Sequence, residues 1–139
     1  VGYKRFSCFV KMLPVVAVAI VASGGCAAAC ESDAKKNFAM IREATENSFQ
    51  REWGATYGEF SGCDSFDGPS VIVYLAKDAG SLVEISESMK VDRWELLPKG
   101  EMASYYADFV MKKEFSGQVL VATLRDSPYG KEVEVSVEH

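Results

Sequence analysis

"SYYADFVMKKEFSGQVLVATLRDSPYGKEVEVSVEH", Ser104–His139, decides how this chain folds. Tyr105, Ala107, Phe109 and Met111 alternate with Tyr106, Asp108, Lys112 and Glu114. A period of two predicts a strand. Ser116-Gly117 predicts a tight turn into "QVLVATLRD", and Pro128 and Gly130 of "SPYG" stand at favourable turn positions. In "KEVEVSVEH", Val133, Val135 and Val137 alternate with Glu132, Glu134, Ser136 and Glu138, the pattern of a half-exposed strand. Two tight connections in succession predict a three-stranded antiparallel meander at the end of the chain.

Upstream, "RWELLP" reads as a short strand closed by Pro98. Before it, Ser81 and Glu84 form S-x-x-E, a capping box, followed by the apolar stripe Leu82, Ile85 and Met89 of a helix ending near Val91. "VIVYLA", Val71–Ala76, is β-branched and apolar on both faces, so it predicts a central strand. Phe38, Ile41, Thr45, Phe49 and Trp53 recur at three- and four-residue steps, predicting a helix from Glu31 to about Trp53 that stops at Gly54. Glu31 and Asp33 would then sit in its first turn, where the helix dipole favours acids. A weak extra strand is expected near Tyr57–Phe60. The order is α-β-α-β-β-β-β, and the economical packing is an α+β fold with both helices on one face of a mainly antiparallel sheet.

Composition sets the class. A chain of 139 residues, 48% hydrophobic and 25% charged, makes one ordinary globular domain. The charge is divided: Lys4, Arg5 and Lys11 precede any acid, whereas residues 27–139 hold 12 basic against 20 acidic side chains, a balance of -8. Such a domain repels nucleic acid and anionic bilayers, and suits a basic partner.

"LPVVAVAIVASGGCAAAC", Leu13–Cys30, carries no charge. Basic residues, the short apolar run Leu13–Ala22, then Ser23-Gly24-Gly25 and Cys26 follow the order of a secretory signal. Val1 fits an initiator read from a GTG codon, since a start at Met12 would strip off all three positive charges. With cysteine directly after the small residues, the segment resembles the lipobox of bacterial lipoproteins. The resemblance implies cleavage after Gly25, diacylglycerol on the Cys26 thiol, a lipidated tether over residues 26–30 and a single domain over 31–139. It places that domain on the outer face of a bacterial membrane, held there by its lipid. An uncut transmembrane helix, or cleavage after Ala29 of an A-x-A site, are the competing readings.

With Cys8 lost and Cys26 acylated, Cys30 and Cys63 remain as an even pair in an oxidising compartment, so a disulfide is expected. The lone histidine is His139, and a zinc site needs three or four ligands, so neither metal nor other cofactor is expected. "CDSFDG" places Asp64 and Asp67 before Gly68, but lacks the alternate-position carboxylates of a calcium loop and reads as a turn. No G-x-S-x-G, phosphate loop or zinc-protease signature occurs. The layout, with "CDS" before "DGPSVIVYL" and a terminal "VEVSVE", resembles small actinobacterial lipoproteins, a resemblance that brings no activity with it.

The expected function is that of a membrane-anchored, non-catalytic binding module facing an envelope or extracellular protein or a small ligand, with no role for nucleic acid. The alternatives are an inhibitor or immunity protein against a basic partner, and a hydrolase built on carboxylates such as Asp64, Asp67 and Asp108. Tyr105, Tyr106, Phe109, Trp94 and Trp53 are either an aromatic recognition surface or core.

Overall fold

The computed structural model describes residues 24–65, 67–102, 105 and 107–138, with side chains from Ala27 onward. Cys8, the apolar segment Leu13–Ala22, Ser104, Tyr106 and His139 lie outside the described residues. The fold is α+β. Its helices are α1 (Gly24–Thr45), α2 (Leu82–Val91) and the short α3 (Lys99–Met102). Its strands are β1 (Thr56–Phe60), β2 (Ser70–Leu75), β3 (Glu95–Leu96), β4 (Phe109–Phe115), β5 (Gln118–Ser127) and β6 (Gly130–Val137). All six strands join one antiparallel sheet in the order β1-β2-β6-β5-β4-β3.

The alternation in the sequence becomes two faces. Val133 and Val135 of β6 stand opposite Val73 and Val71 of β2 and opposite Leu124 and Ala122 of β5, and all six side chains are buried. Ala34, Phe38, Ile41 and Ala44 of α1 and Ile85 and Met89 of α2 belong to the same buried cluster. Burying a side chain of this kind contributes roughly 1.5–3 kcal/mol, so this layer carries most of the hydrophobic stabilisation. The polypeptide leaves β2 through α2 and re-enters at the far edge strand β3, so the last strand, β6, is paired on both sides.

Tight connections hold the register. Phe115 pairs with Gln118, and Ser116 and Gly117 between them have φ of 51° and 74°, the positive values that a two-residue hairpin matched to strand twist requires. Ser127 pairs with Gly130 across Pro128-Tyr129. Gly130 has φ 147°, and a Cβ there would lie 2.6 Å from the Leu75 carbonyl oxygen, so only glycine lets β6 start against β2.

Three elements differ from the sequence-based expectation. The first helix is already formed at Gly24, ahead of Glu31, and ends at Thr45 rather than Trp53. Glu31 and Asp33 are therefore in its interior, and Cys26 and Cys30 lie within the helix. Beyond Thr45 the chain leaves the helix because buried Ser48 is held by Asp92, and a separate 3-10 turn, Arg51–Trp53, returns Trp53 to the core before left-handed Gly54. In β2 one face is buried, but Ile72 is only half-buried and Tyr74 is exposed, so the strand is paired on both sides without being covered on both faces. A second apolar cluster of Leu97, Met102, Val110 and Val121 lies on the sheet face opposite Met111 and Leu120, because alternate residues of a strand point to opposite faces.

The early turns of α1 stand clear of the core. Ala27, Ala28, Ala29, Glu31, Ser32 and Asp33 are exposed, and Ala34 is the first buried residue. Cys30 is joined to Cys63 there by a disulfide closing a separation of 33 residues. On the chain-entropy account such a loop stabilises by about 3–4 kcal/mol. The C30S/C63S double variant is expected to lose about that much in guanidinium unfolding of the oxidised protein. A loss below about 1 kcal/mol would show that the crosslink restrains an already ordered segment.

At α2, the Ser81 hydroxyl accepts from the Glu84 amide, while the Ser81 amide and hydroxyl both donate to the Glu84 carboxylate. These two donors hold the Glu84 carboxyl below its ordinary value of 4.5. A carboxyl depressed by folding contributes stability above its unfolded pKa, and that contribution is lost as pH falls through the folded value. Stability below pH 4.5 should therefore fall more steeply for the native chain than for E84Q, read from urea midpoints across that range. Parallel profiles would remove the cap from the acid response.

Candidate functional site

Two polar assemblies stand out, one open to solvent and one buried. The open one lies on the sheet face opposite buried Val71, Val73, Val133 and Val135. The Leu97–Met102 cluster covers this face at the β3-β4 end, and no other described residues cover its β1-β2-β6 part. Register puts Phe60 beside Ser70, Gly58 beside Ile72, Ile72 beside Glu134 and Tyr74 beside Glu132. A Cβ at Gly58 would lie 3.0 Å from the Tyr74 ring and 3.4 Å from the Phe60 ring, so both aromatics lean over the bare glycine. This arrangement covers an edge-strand glycine with aromatic surface, and it still leaves Phe60 48% and Tyr74 38% exposed.

Next to them, an open hollow of about 590 Å³ is lined by Phe60, Ile72, Ser70, Asp64, Asp67 and Glu134, among others. Its rim is the 61–69 loop. Gly62 has φ 68°, and a Cβ there would lie 2.2 Å from the Asp67 carbonyl oxygen, so the loop folds back on itself only around glycine. Ser65 accepts from the Asp67 amide and Cys63 ties the loop to α1. Among the described residues no cation pairs with Asp64, Asp67 or Glu132, while Arg125 Nη1 lies 3.4 Å from Glu134.

The carboxylates singled out by sequence are thus separated. Asp64 and Asp67 share the hollow, whereas Asp108 lines a different one of about 680 Å³ with Leu82, Leu96 and Met102. The described members of the aromatic set pack into the core rather than forming a surface. Trp53 and Trp94 are buried, Phe109 packs against the main cluster and Tyr105 against the smaller one. Exposed aromatic surface comes instead from Phe60 and Tyr74 on this face and from Tyr129 in the β5-β6 turn. No local signal marks Phe60 and Tyr74, because they meet over Gly58 only through the pairing of β1 with β2. Among the described residues no group of three His, Cys, Asp or Glu gathers to hold a metal, and no helix is long and apolar enough to cross a membrane. Cys26 lies in the first turn of α1.

The buried assembly has Lys113 at its centre. β4 places this lysine on the core face with Met111, and its side chain is 5% exposed. Its ammonium donates to the Ala44 carbonyl at 2.8 Å and pairs with Asp92 Oδ2 at 3.0 Å. It also stands 5.6 Å from the Trp94 ring centroid and 5.7 Å from that of Phe115, within cation–π range. Ser48 donates to the same Asp92 oxygen at 2.5 Å, and Trp94 Nε1 donates to the Ser48 hydroxyl at 2.9 Å. Ser88 donates to the Ser48 carbonyl. Asp92 and Trp94 flank Arg93, whose φ of 66° puts it in the left-handed position normally given to glycine after a helix. The Arg93 and Trp94 amides close that turn on the Lys90 and Met89 carbonyls. The anchored neighbours on either side offset the cost of a bulky residue there.

This assembly is structural, since it joins the ends of α1 and α2 to β4 and its cation is spent on internal partners. Removing one member of a buried pair leaves the other charge uncompensated, at about 3–5 kcal/mol. K113M should lower unfolding free energy by about that amount, and D92N/K113M should recover part of it because the orphaned carboxylate is gone. Denaturant midpoints of the two variants check this; equal losses would mean that packing of the lysine stem, not its charge, matters. No family model, curated protein or solved structure matches this chain.

Proposed function

We propose that the chain is a non-catalytic binding module held on the outer face of a bacterial membrane by a lipid on Cys26. In this reading the sheet ends in a three-stranded meander with the helices packed on one face, which leaves the other face to a partner. The observation that carries the binding role is the β1-β2-β6 face, where Phe60 and Tyr74 remain exposed on the same side as Asp64, Asp67 and Glu132, none of which pairs with a cation among the described residues. Exposed aromatics rimmed by polar groups are what recognition surfaces are made of.

Support for the compartment comes from two features. The order of basic residues, apolar run, small residues and Cys26 is that of a lipoprotein signal. The Cys30–Cys63 disulfide suits an oxidising environment. The protruding start of α1 would carry the lipid away from the folded body, so that acylation of Cys26 need not disturb the core. An inhibitor or immunity protein for a basic partner is the same reading with its partner specified, and the acidic balance favours it.

Intact mass spectrometry of the membrane fraction from a bacterial host tests the anchor. The expected species starts at Cys26, carries diacylglycerol and lacks two hydrogens for the disulfide, and C26S should move the chain out of that fraction. A membrane-bound form that retains residues 1–25, or a free form with an unmodified Cys26 thiol, would overturn it.

A further inference from the structure

The charge on the open face identifies the kind of partner. We infer that the β1-β2-β6 face docks a cationic, lysine- or arginine-rich protein segment. The inference rests on the binding-module reading and specifies its partner.

Asp64, Asp67, Glu132 and Glu134 border this face against the single guanidinium of Arg125, which is already engaged with Glu134. The other three carboxylates have no cationic partner among the described residues. Some acids elsewhere are compensated within the chain. Asp33, Glu59, Glu87, Asp92, Asp126 and Glu138 each meet a lysine or arginine of the chain itself. Three carboxylates without a cation therefore stand on the same face as Phe60 and Tyr74, two rings that a lysine or arginine can cover. A cation arriving here gains both a carboxylate and an aromatic face, a combination that neither feature offers alone. Polyanions are excluded by the same charges. The surface is ready-made, because the disulfide and the Gly62 turn fix the loop bearing Asp64 and Asp67 before any partner arrives.

The test uses the full oxidised chain in zwitterionic detergent with octalysine as the probe. Amide shifts by NMR should map to β1, β2, β6 and the 61–69 loop, and should weaken as ionic strength rises from about 0.01 to about 0.15 M. D64N/D67N/E132Q and, separately, Y74A should each weaken octalysine binding by about ten-fold. E31Q/E43Q/E46Q removes as much charge from the exposed surface of α1 and the turn after it, and should change binding by less than about two-fold. Circular dichroism melts confirm that each variant folds. Equal losses in the two triple variants would reduce the effect to net charge and overturn the docking face. Octalysine shifts centred on the helices would do the same. So would a concentration-dependent dimer with β1 and β2 at its interface, since a second copy would then be the occupant. Failure of octalysine to bind refutes the cationic partner alone. The binding-module reading is read separately, by photocrosslinks from position 74 in cells, and falls only if those are absent too.

Discussion

One buried ammonium constrains where everything else can sit. Lys113 reaches across from β4 to the last carbonyls of α1 and to Asp92 at the end of α2. A lysine so enclosed is costly unless its charge is met, and four elements converge to meet it. Buried pairs are weak evidence for net stability, and the value of this one is positional. Because side chains alternate along a strand, a one-residue slip of β4 would expel Lys113 to solvent and drive Lys112 into the core. Ser48 adds a second restraint, bonding Asp92, Trp94 and Ser88 at once. It accounts for the break between Thr45 and the Arg51–Trp53 turn, since the chain cannot continue as a helix and also present Ser48 to Asp92.

That lock has a consequence on the opposite side of the sheet. With the end of α2 fixed at Asp92 and Trp94, the chain must enter the sheet at β3, on the edge farthest from β1. The segment after β3 then has only the β4-β5 end within reach, and it covers Val110 and Val121 with Leu97 and Met102. Nothing in the described chain remains to cover Ile72, Tyr74 and Phe60. The open face is thus a result of topology, and its partial exposure follows from where α2 is anchored rather than from any local feature of β1 or β2.

Much of this was legible in the sequence because its signals are local and repetitive. The valine alternation of β6, the Ser116-Gly117 turn, the S-x-x-E cap and the α+β class all follow from period and turn chemistry, and the structure has each of these elements. The cysteine pair was legible from arithmetic and compartment. What escaped depends on contacts distant in sequence. A lysine reads as solvent-facing, so Lys113 was left out of the alternation although its parity with Met111 assigned it to the core. The buried second face of β4 and β5 is hidden for a related reason, since on its own face Val110 alternates with Asp108 and Lys112, and Val121 with Thr123. Helix limits at α1 were misjudged in both directions. Alanines and glycines ahead of Glu31 carry no amphipathic signal, and the stop at Thr45 is imposed by Asp92, far along the chain. Phe60 and Tyr74 escaped because their alignment over Gly58 exists only once β1 and β2 are paired.

The same division between local and distant forces explains why the crosslink lies where it does. The core and the Lys113 assembly hold the end of α1, while the first turns before Ala34 have no buried neighbours of their own. A helix start that protrudes gains little from packing, and isolated helical turns are marginal in water. The 61–69 loop has a similar deficit, being rich in glycine, serine and aspartate with little apolar surface to bury. Joining Cys30 to Cys63 fastens two weakly held segments to each other at the one place where neither can use the core. Their order is thereby coupled, so a pull on the start of α1 is felt at the loop that borders the open face. The bond is better understood as setting the position of Asp64 and Asp67 than as reinforcing a core that is already well packed.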